Sequence, residues 1–337
     1  MRIAASMRLE ATSSLDPACM ASSLRGSRAL IATPTHLRRH RKSSVVGHPC
    51  LRFSTVCRSG GGGGQKPIPV VVNGAAGKMG REMIKAISRA RGLELVGAVD
   101  VRHVGEDAGE VAGLDEPLEI PISNELVVVL TSVAQDKDRN GVLIDFSHPS
   151  SVMETFKQCI AFGVRPIIGT TGYTPKNLKE MVDYCDKATM GAIVSPSFSI
   201  GLAVMRQAAE TAVFHYNHVE IFESNSDFSL DAPSQNAIIT ANSLSGLGRM
   251  YNQPPKGITQ GADNGARGQI GEDGLRVHST FNPGLLEEQE VRFGASGEML
   301  SFKHSVSDYS AYVPGVILAI RRVVNIKTFV YGIERIL

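Results

Sequence analysis

The sequence contains no tryptophan, and aromatic residues make up only 6% of its 337 positions. Its interior must therefore be built from Val, Ile, Leu, Met and Ala. No run approaches the roughly 18 consecutive apolar residues of a membrane-spanning helix, so no membrane partner is expected. Cysteine is scarce too. Of five, Cys19, Cys50 and Cys57 fall near the start, leaving Cys159 and Cys185 without the paired spacing of a metal site. No metal is expected, and both thiols read as reduced. Acidic residues are nearly missing from residues 1–67, where eleven Lys and Arg face only Glu10 and Asp16. The remaining chain reverses this balance, with 24 basic against 31 acidic residues. A net-acidic body argues against a nucleic-acid binder, which needs a basic surface.

The opening segment is rich in Arg and Ser and ends in "SGGGGGQKP" (59–67). Its composition predicts an organelle transit peptide and a flexible linker. Composition alone leaves chloroplast and mitochondrion open.

From Ile68 short apolar runs alternate with amphipathic stretches. "IPVVVN" (68–73), "LELVGAVD" (93–100), "VLIDFS" (142–147), "RPIIGTTG" (165–172) and "GAIVSPSF" (191–198) predict strands. Helical patterns lie at 78–90, 151–162 and 175–187. This alternation predicts α/β architecture, a Rossmann-like doubly wound parallel sheet. It stops near Ile200. A helix, the strand "HVEIFES" (218–224) and a helix from about Asn236 precede three strand-like runs at 275–281, 288–294 and 298–305. They predict a second α+β domain with a mixed or antiparallel sheet. Residues 252–273 read as a mobile polar loop, and 313–323 as a helix.

"NGAAGKMGR" (73–81) joins the first strand to the first helix. Its glycines Gly74, Gly77 and Gly80 permit a tight turn, a close pyrophosphate and close helix packing. The helix start offers free N–H groups to phosphate, and Lys78 adds charge. Asp100 ends the second strand, where a carboxylate can accept both ribose hydroxyls. It favours NADH, whereas Arg102 can meet the extra phosphate of NADPH, so both coenzymes stay open. Thr170, Thr171 and Phe198 follow two further strands and are expected at the nicotinamide end.

Taken in order, "NGAAGKMGR", "GEDAGEVAG" (105–113), "IDFSHPSS" (144–151), "IIGTTGYT" (167–174), "SPSFSIGL" (195–202), "DAPSQNA" (231–237) and the segment 277–323 resemble the 4-hydroxy-tetrahydrodipicolinate reductase family. These are the dihydrodipicolinate reductases of lysine biosynthesis. The resemblance runs from about Ile68 to the end of the chain. With the leader, it looks like a plant form of the chloroplast stroma. The resemblance implies a dinucleotide-binding domain at 68–199, rejoined by about 309–337. It implies a substrate-binding and oligomerisation domain at 200–308, in a homo-oligomer that is a dimer or tetramer. Dinucleotide contacts fall on Gly74, Ala75, Ala76, Gly77, Lys78, Met79, Asp100, Gly169, Thr170, Thr171, Ser195, Pro196, Ser197 and Phe198. The implied substrate is a small cyclic imine dicarboxylate, reduced by NADPH or NADH.

One loop departs from the family. Bacterial members carry Glu-x-His-His-x-x-Lys-x-Asp-Ala-Pro-Ser-Gly-Thr-Ala; this chain reads "ESNSDFSLDAPSQNA" (223–237). The catalytic His and Lys positions become Asn225 and Ser229, and the second His becomes Ser226. The substrate positions that follow are Ser234, Gln235 and Asn236. Neutral side chains cannot act as acids near pH 7 as His does, nor neutralise a carboxylate. His278 and His304 are alternative acids, with Arg276, Lys303 and Arg267 as alternative carboxylate partners. His215 and His218 read as helix-end groups. The leading function is the reductase. A catalytically impaired dinucleotide-binding paralogue with a regulatory role is the alternative, and another oxidoreductase on the same scaffold is a third.

Overall fold

The computed structural model of the chain describes residues 66–136, 140–226, 232–246, 250–253 and 267–337. Residues 1–65 of the expected leader and linker, Ser229, and most of the expected loop at 252–273 lie outside these. In chain order the elements are β1 (Ile68–Asn73), α1 (Lys78–Arg89), β2 (Leu93–Val99), α2 (Ala108–Ala112), β3 (Ile122–Ser123), α3 (Leu126–Gln135), β4 (Val142–Asp145), α4 (Val152–Phe162), β5 (Arg165–Ile168), α5 (Pro175–Ala188) and β6 (Ala192–Val194). There follow α6 (Ile200–Ala212), β7 (His218–Asn225), α7 (Gln235–Ser245), β8 (Gln269–Ile270), β9 (Arg276–Phe281), β10 (Glu287–Ala295), β11 (Glu298–Val306), α8 (Val313–Val323) and β12 (Phe329–Tyr331).

Among the described residues, seven strands form a parallel sheet in the order β12-β6-β5-β4-β1-β2-β3. Both faces are covered, which is why β1 reads as a continuous apolar run rather than an alternating one. Val70 and Val72 pack with Met83, Ile84 and Ile87 of α1 on one face. Val71 points the other way and packs with Leu130 of α3 and Cys159 of α4. The sheet passes from β1 to β2 on one side and to β4 on the other. This reversal opens a crevice at the strands' C-terminal ends. After the second sheet the chain returns, and β12 pairs in parallel with β6.

The second sheet has the order β11-β10-β7-β9-β8 and is mixed: β7 and β9 run parallel, the other neighbours antiparallel. Here alternation is clean. Val219 and Ile221 of β7 and Val291 and Phe293 of β10 turn inward onto Leu202, Met205 and Ala209 of α6 and onto Leu244 of α7. On the opposite face Phe222 stacks on His278 at 4.4 Å, and the Arg292 guanidinium lies 4.2 Å above the Phe222 ring.

One buried group works against stability. Asp145, at the end of β4, is fully buried. Its Oδ1 accepts from Asn73 Nδ2 and the Ser147 N–H at 3.0 Å each, while Oδ2 has no partner among the described residues. Burial pushes its pKa up. The folded chain therefore holds this proton to higher pH than the unfolded chain, and stability falls as pH rises from the ordinary Asp range through the raised value. Asp145→Asn is expected to raise the thermal midpoint at pH 8. The gain should shrink at pH 5, as read by circular dichroism.

Candidate active site

The crevice begins at the turn after β1. The Gly74 and Ala75 N–H groups both donate to Val99 O, at 2.8 and 3.0 Å, which folds the turn over β2. Gly74 has φ +80°, and a Cβ there would sit 2.4 Å from Phe146 O. A Cβ on Gly80 would sit 2.1 Å from Gly74 O, so α1 rests directly on the turn. Gly77 occupies the N-cap of α1 and supplies no side-chain cap, unlike Thr174, Ser199 and Ser234 at the starts of α5, α6 and α7. The first N–H groups of α1 are thereby left for an anion.

Asp100 is 8% exposed and engaged from two sides. Its Oδ2 accepts from the Ala76 N–H at 2.9 Å, and its Oδ1 from the Arg102 N–H at 3.0 Å. It thus anchors the glycine turn as well as facing the crevice. Oδ2 keeps a second lone-pair position for a ribose hydroxyl. The exposed Arg102 side chain returns to Asp100 with Nε 3.4 Å from Oδ1. Gly74, Gly77, Asp100, Arg102, Phe146 and Ser147 line a cavity of about 560 Å³. An uncapped helix start, a buried carboxylate at the end of β2 and an adjacent arginine fit a dinucleotide.

Phe146 also walls a second cavity of about 190 Å³, lined by Met79, Gly169, Phe198, Glu287 and Tyr312 among others. Phe146 and Phe198 meet edge-on with centroids 6.3 Å apart. The crevice therefore runs from the glycine turn, past Phe146, to the first residue of β10. Pro196 and Ser197 line this end. Ser195 is buried and donates to Ser197 O, so it shapes the turn rather than the cavity wall. Thr170 is buried, its hydroxyl donating to Asp145 O at 3.3 Å, while Thr171 is exposed. Lys78 is exposed, with Nζ 5.7 Å from the Tyr309 ring centre.

The second sheet brings its own polar groups. Glu223 is 4% exposed, and no sequence signal marks it as an organising residue. It accepts from the Ser234 N–H at 2.8 Å, from the Ser234 hydroxyl, and from Ser279 Oγ at 2.6 Å. Those bonds pin both ends of the 223–237 loop. Asn225 Nδ2 lies 3.4 Å from Glu223 Oε2, and the Ser226 N–H donates to Leu286 O at 3.3 Å. Ser234 caps α7, Gln235 is exposed, and Asn236 Nδ2 donates to Glu287 Oε1 at 2.9 Å. Tyr312 OH donates to Glu287 Oε2 at 2.9 Å. Arg206, 5% exposed, donates through Nε to Thr240 Oγ1 and through Nη2 to Asn236 O, each at 2.9 Å. Burial raises the Glu287 pKa, and the hydrogen bonds and the Arg206 charge oppose it.

The alternative acids lie elsewhere. His304 Nε2 is 2.9 Å from Ser199 Oγ, the cap of α6, and burial lowers its pKa. His278 Nε2 is 3.1 Å from Glu220, on the outer face. Neither lines the cavities described. Lys303 pairs with Glu288 at 2.7 Å, and buried Arg276 donates to Arg267 O at 3.3 Å.

A sequence family described as dihydrodipicolinate reductase, N-terminus, matches residues 68–198, and its C-terminal counterpart matches 200–337. The chain belongs to the dihydrodipicolinate reductase family. A Nostoc punctiforme protein named 4-hydroxy-tetrahydrodipicolinate reductase is 49% identical over 276 residues, covering 81% of this chain and 99% of its own. A protein of the same name from Trichormus variabilis is 48% identical over 276 residues, covering 81% and 99%. The solved structure of a dipicolinate-bound dihydrodipicolinate reductase from Paenisporosarcina sp. TG-14 is 31% identical. It covers 80% of this chain and 100% of its own, with a TM-score of 0.67. The N-terminal region of the family is a dinucleotide-binding domain, and its reductases use NADH or NADPH.

Gly80→Ala is expected to lift α1 from the turn. Calorimetry should show at least tenfold weaker binding of either coenzyme, with a lower thermal midpoint. Unchanged affinity would show that the turn does not carry the diphosphate.

Proposed function

We propose that this chain is an NAD(P)H-dependent reductase that converts the cyclic imine dicarboxylate 4-hydroxy-tetrahydrodipicolinate to tetrahydrodipicolinate, in lysine biosynthesis through diaminopimelate. The observation that carries this reading is the shared Phe146 wall. It makes one crevice of the glycine-turn cavity and the cavity that reaches Glu287. Gly74, Ala75, Ala76, Gly77, Lys78 and Met79 hold the diphosphate, and Asp100 the adenosine ribose. Gly169, Thr170 and Thr171, with Ser195, Pro196, Ser197 and Phe198, shape the nicotinamide end. The bound coenzyme supplies hydride. The residues of this chain fix its orientation, exclude water and hydrogen-bond the substrate through Asn225, Ser226, Ser229, Ser234, Gln235 and Asn236.

The proposed organisation is a leader at 1–67, a dinucleotide domain at 68–199 rejoined by about 309–337, and a substrate domain at 200–308. The outer face of the second sheet, with Phe222, His278 and Arg292, is proposed as the contact in a dimer or tetramer. The acid-poor leader and the cyanobacterial relatives support a plant plastid enzyme of the chloroplast stroma.

A specific observation favours a second reading. Asn225 and Ser226 are neutral where the family pattern has histidines. A catalytically impaired dinucleotide-binding paralogue with a regulatory role would have this loop. The purified full chain, fed the substrate by a coupled synthase reaction with NADPH or NADH, separates the two. Oxidation of coenzyme supports the reductase. Tight coenzyme binding without oxidation supports the paralogue.

The coenzyme preference has its own test. Asp100 holds the turn through Ala76, so Asp100→Ala is expected to weaken both coenzymes. Arg102→Ala removes a charge beside the ribose and the long Nε bond to Asp100, leaves the backbone bonds of Asp100 in place, and is expected to weaken NADPH at least tenfold more than NADH. Equal losses in fluorescence titrations would place Arg102 away from the extra phosphate.

A further inference from the structure

We infer that Glu287 supplies the proton that accompanies hydride delivery, in place of the loop histidine that Asn225 replaces. The inference rests on the reductase reading. Glu287 is the cross-strand partner of Asn225 where β10 pairs with β7. Side chains directly opposite in such a pair stand on one face, with Cβ atoms roughly 5 Å apart. The proposed acid thus lies directly across one rung of the sheet from Asn225. Glu287 lines the same cavity as Met79, Gly169 and Phe198, so it borders the end of the crevice where the reducing ring belongs.

The carboxyl is held from several elements. Tyr312 donates to one oxygen and Asn236 of α7 to the other, each at 2.9 Å. Arg206 of α6 and Glu223 of β7 are the charged groups that face it, and they act in opposite directions. Each oxygen retains a lone-pair position that can carry the proton.

The 4-hydroxyl first leaves with a hydrogen of the neighbouring ring carbon as water, which gives the conjugated imine. Hydride from the reduced dinucleotide then adds to the carbon that bore the hydroxyl, and the ring is reduced by two electrons as the coenzyme is oxidised. An electron pair is displaced onto the ring. The Glu287 O–H bond breaks, its electrons stay on the carboxylate, and the proton bonds to the ring atom bearing that pair. Water then returns a proton to Glu287.

Glu287→Gln keeps the shape of the side chain and removes the transferable proton. The full chain carrying it is expected to bind NADPH within threefold of wild type. Its kcat should fall about 100-fold or more, the usual range for a lost general acid, with KM changed far less. The wild-type kcat should decline as pH rises through the carboxyl's titration, and the variant's profile should be flat there. Tyr312→Phe removes a donor that favours the carboxylate, so its decline should move to higher pH. Calorimetry with dipicolinate, in buffers of different ionisation heat, should show proton uptake in wild type and none in Glu287→Gln. Turnover or proton uptake that survives Glu287→Gln overturns this inference alone. A wild-type chain with no turnover overturns the reductase reading and this inference with it.

Discussion

The close approach of the first turn of α1 to the loop after β1 is the constraint on which the crevice depends. Backbone atoms stand where side chains would otherwise be, at Gly74 against Phe146 O and at Gly80 against Gly74 O. Any Cβ there must push the helix, the turn or β4 apart. The same contact decides the path of Phe146, which lines both cavities. One steric requirement therefore sets both the seat for an anion and the wall that directs what lies beyond it. Asp100 completes the turn from beneath, since its carboxylate accepts the Ala76 N–H and ties the loop to the end of β2.

The far end of the crevice is held by polar contacts instead. Arg206 comes from α6, Asn236 from α7, Glu287 from β10 and Tyr312 from the turn before α8, and hydrogen bonds link them in one series. Bonds to charged groups are worth roughly 1.5–3 kcal/mol each, and a buried charge left without partners costs more than a lost bond. The series ties α6 and α7 to the start of β10 and to the turn before α8. Glu223 ties the start of the 223–237 loop to Ser234 and to Ser279 of β9.

Much of this was legible in the sequence because it rests on local rules. The parallel sheet follows from short apolar runs ending at Gly or polar turns, and the dinucleotide seat from Gly74, Gly77, Gly80 and Asp100 at their spacing. Less local features were not. The stretch Leu126–Gln135 is rich in Val yet helical, because Leu130 and Val133 pack on the sheet's second face and tertiary contact overrides propensity. The short strands β3, β8 and β12 have two or three residues each, too few for a periodic signal. Glu287 and Arg206 had no motif to mark them. Glu287 reads as one of two acids opening an ordinary strand, and only its register opposite Asn225 brings it to the crevice.

That register also changes the electrostatic logic of the site. A loop with His and Lys meets a dicarboxylate with positive charge. Here Asn225 and Ser226 are neutral, and Glu287 across the strand pair is an acid. An ionised Glu287 would repel an incoming dianion, and ligand burial would strip away the water that screens the repulsion. The least costly response is for Glu287 to take up a proton as the ligand enters. Its partial burial already biases it that way. Ligand charge and acid loading are then one coupled event: the arriving carboxylates help to charge the group that later gives the proton back. A site whose loop carries no cation can still meet an anion if its own carboxyl becomes neutral on contact.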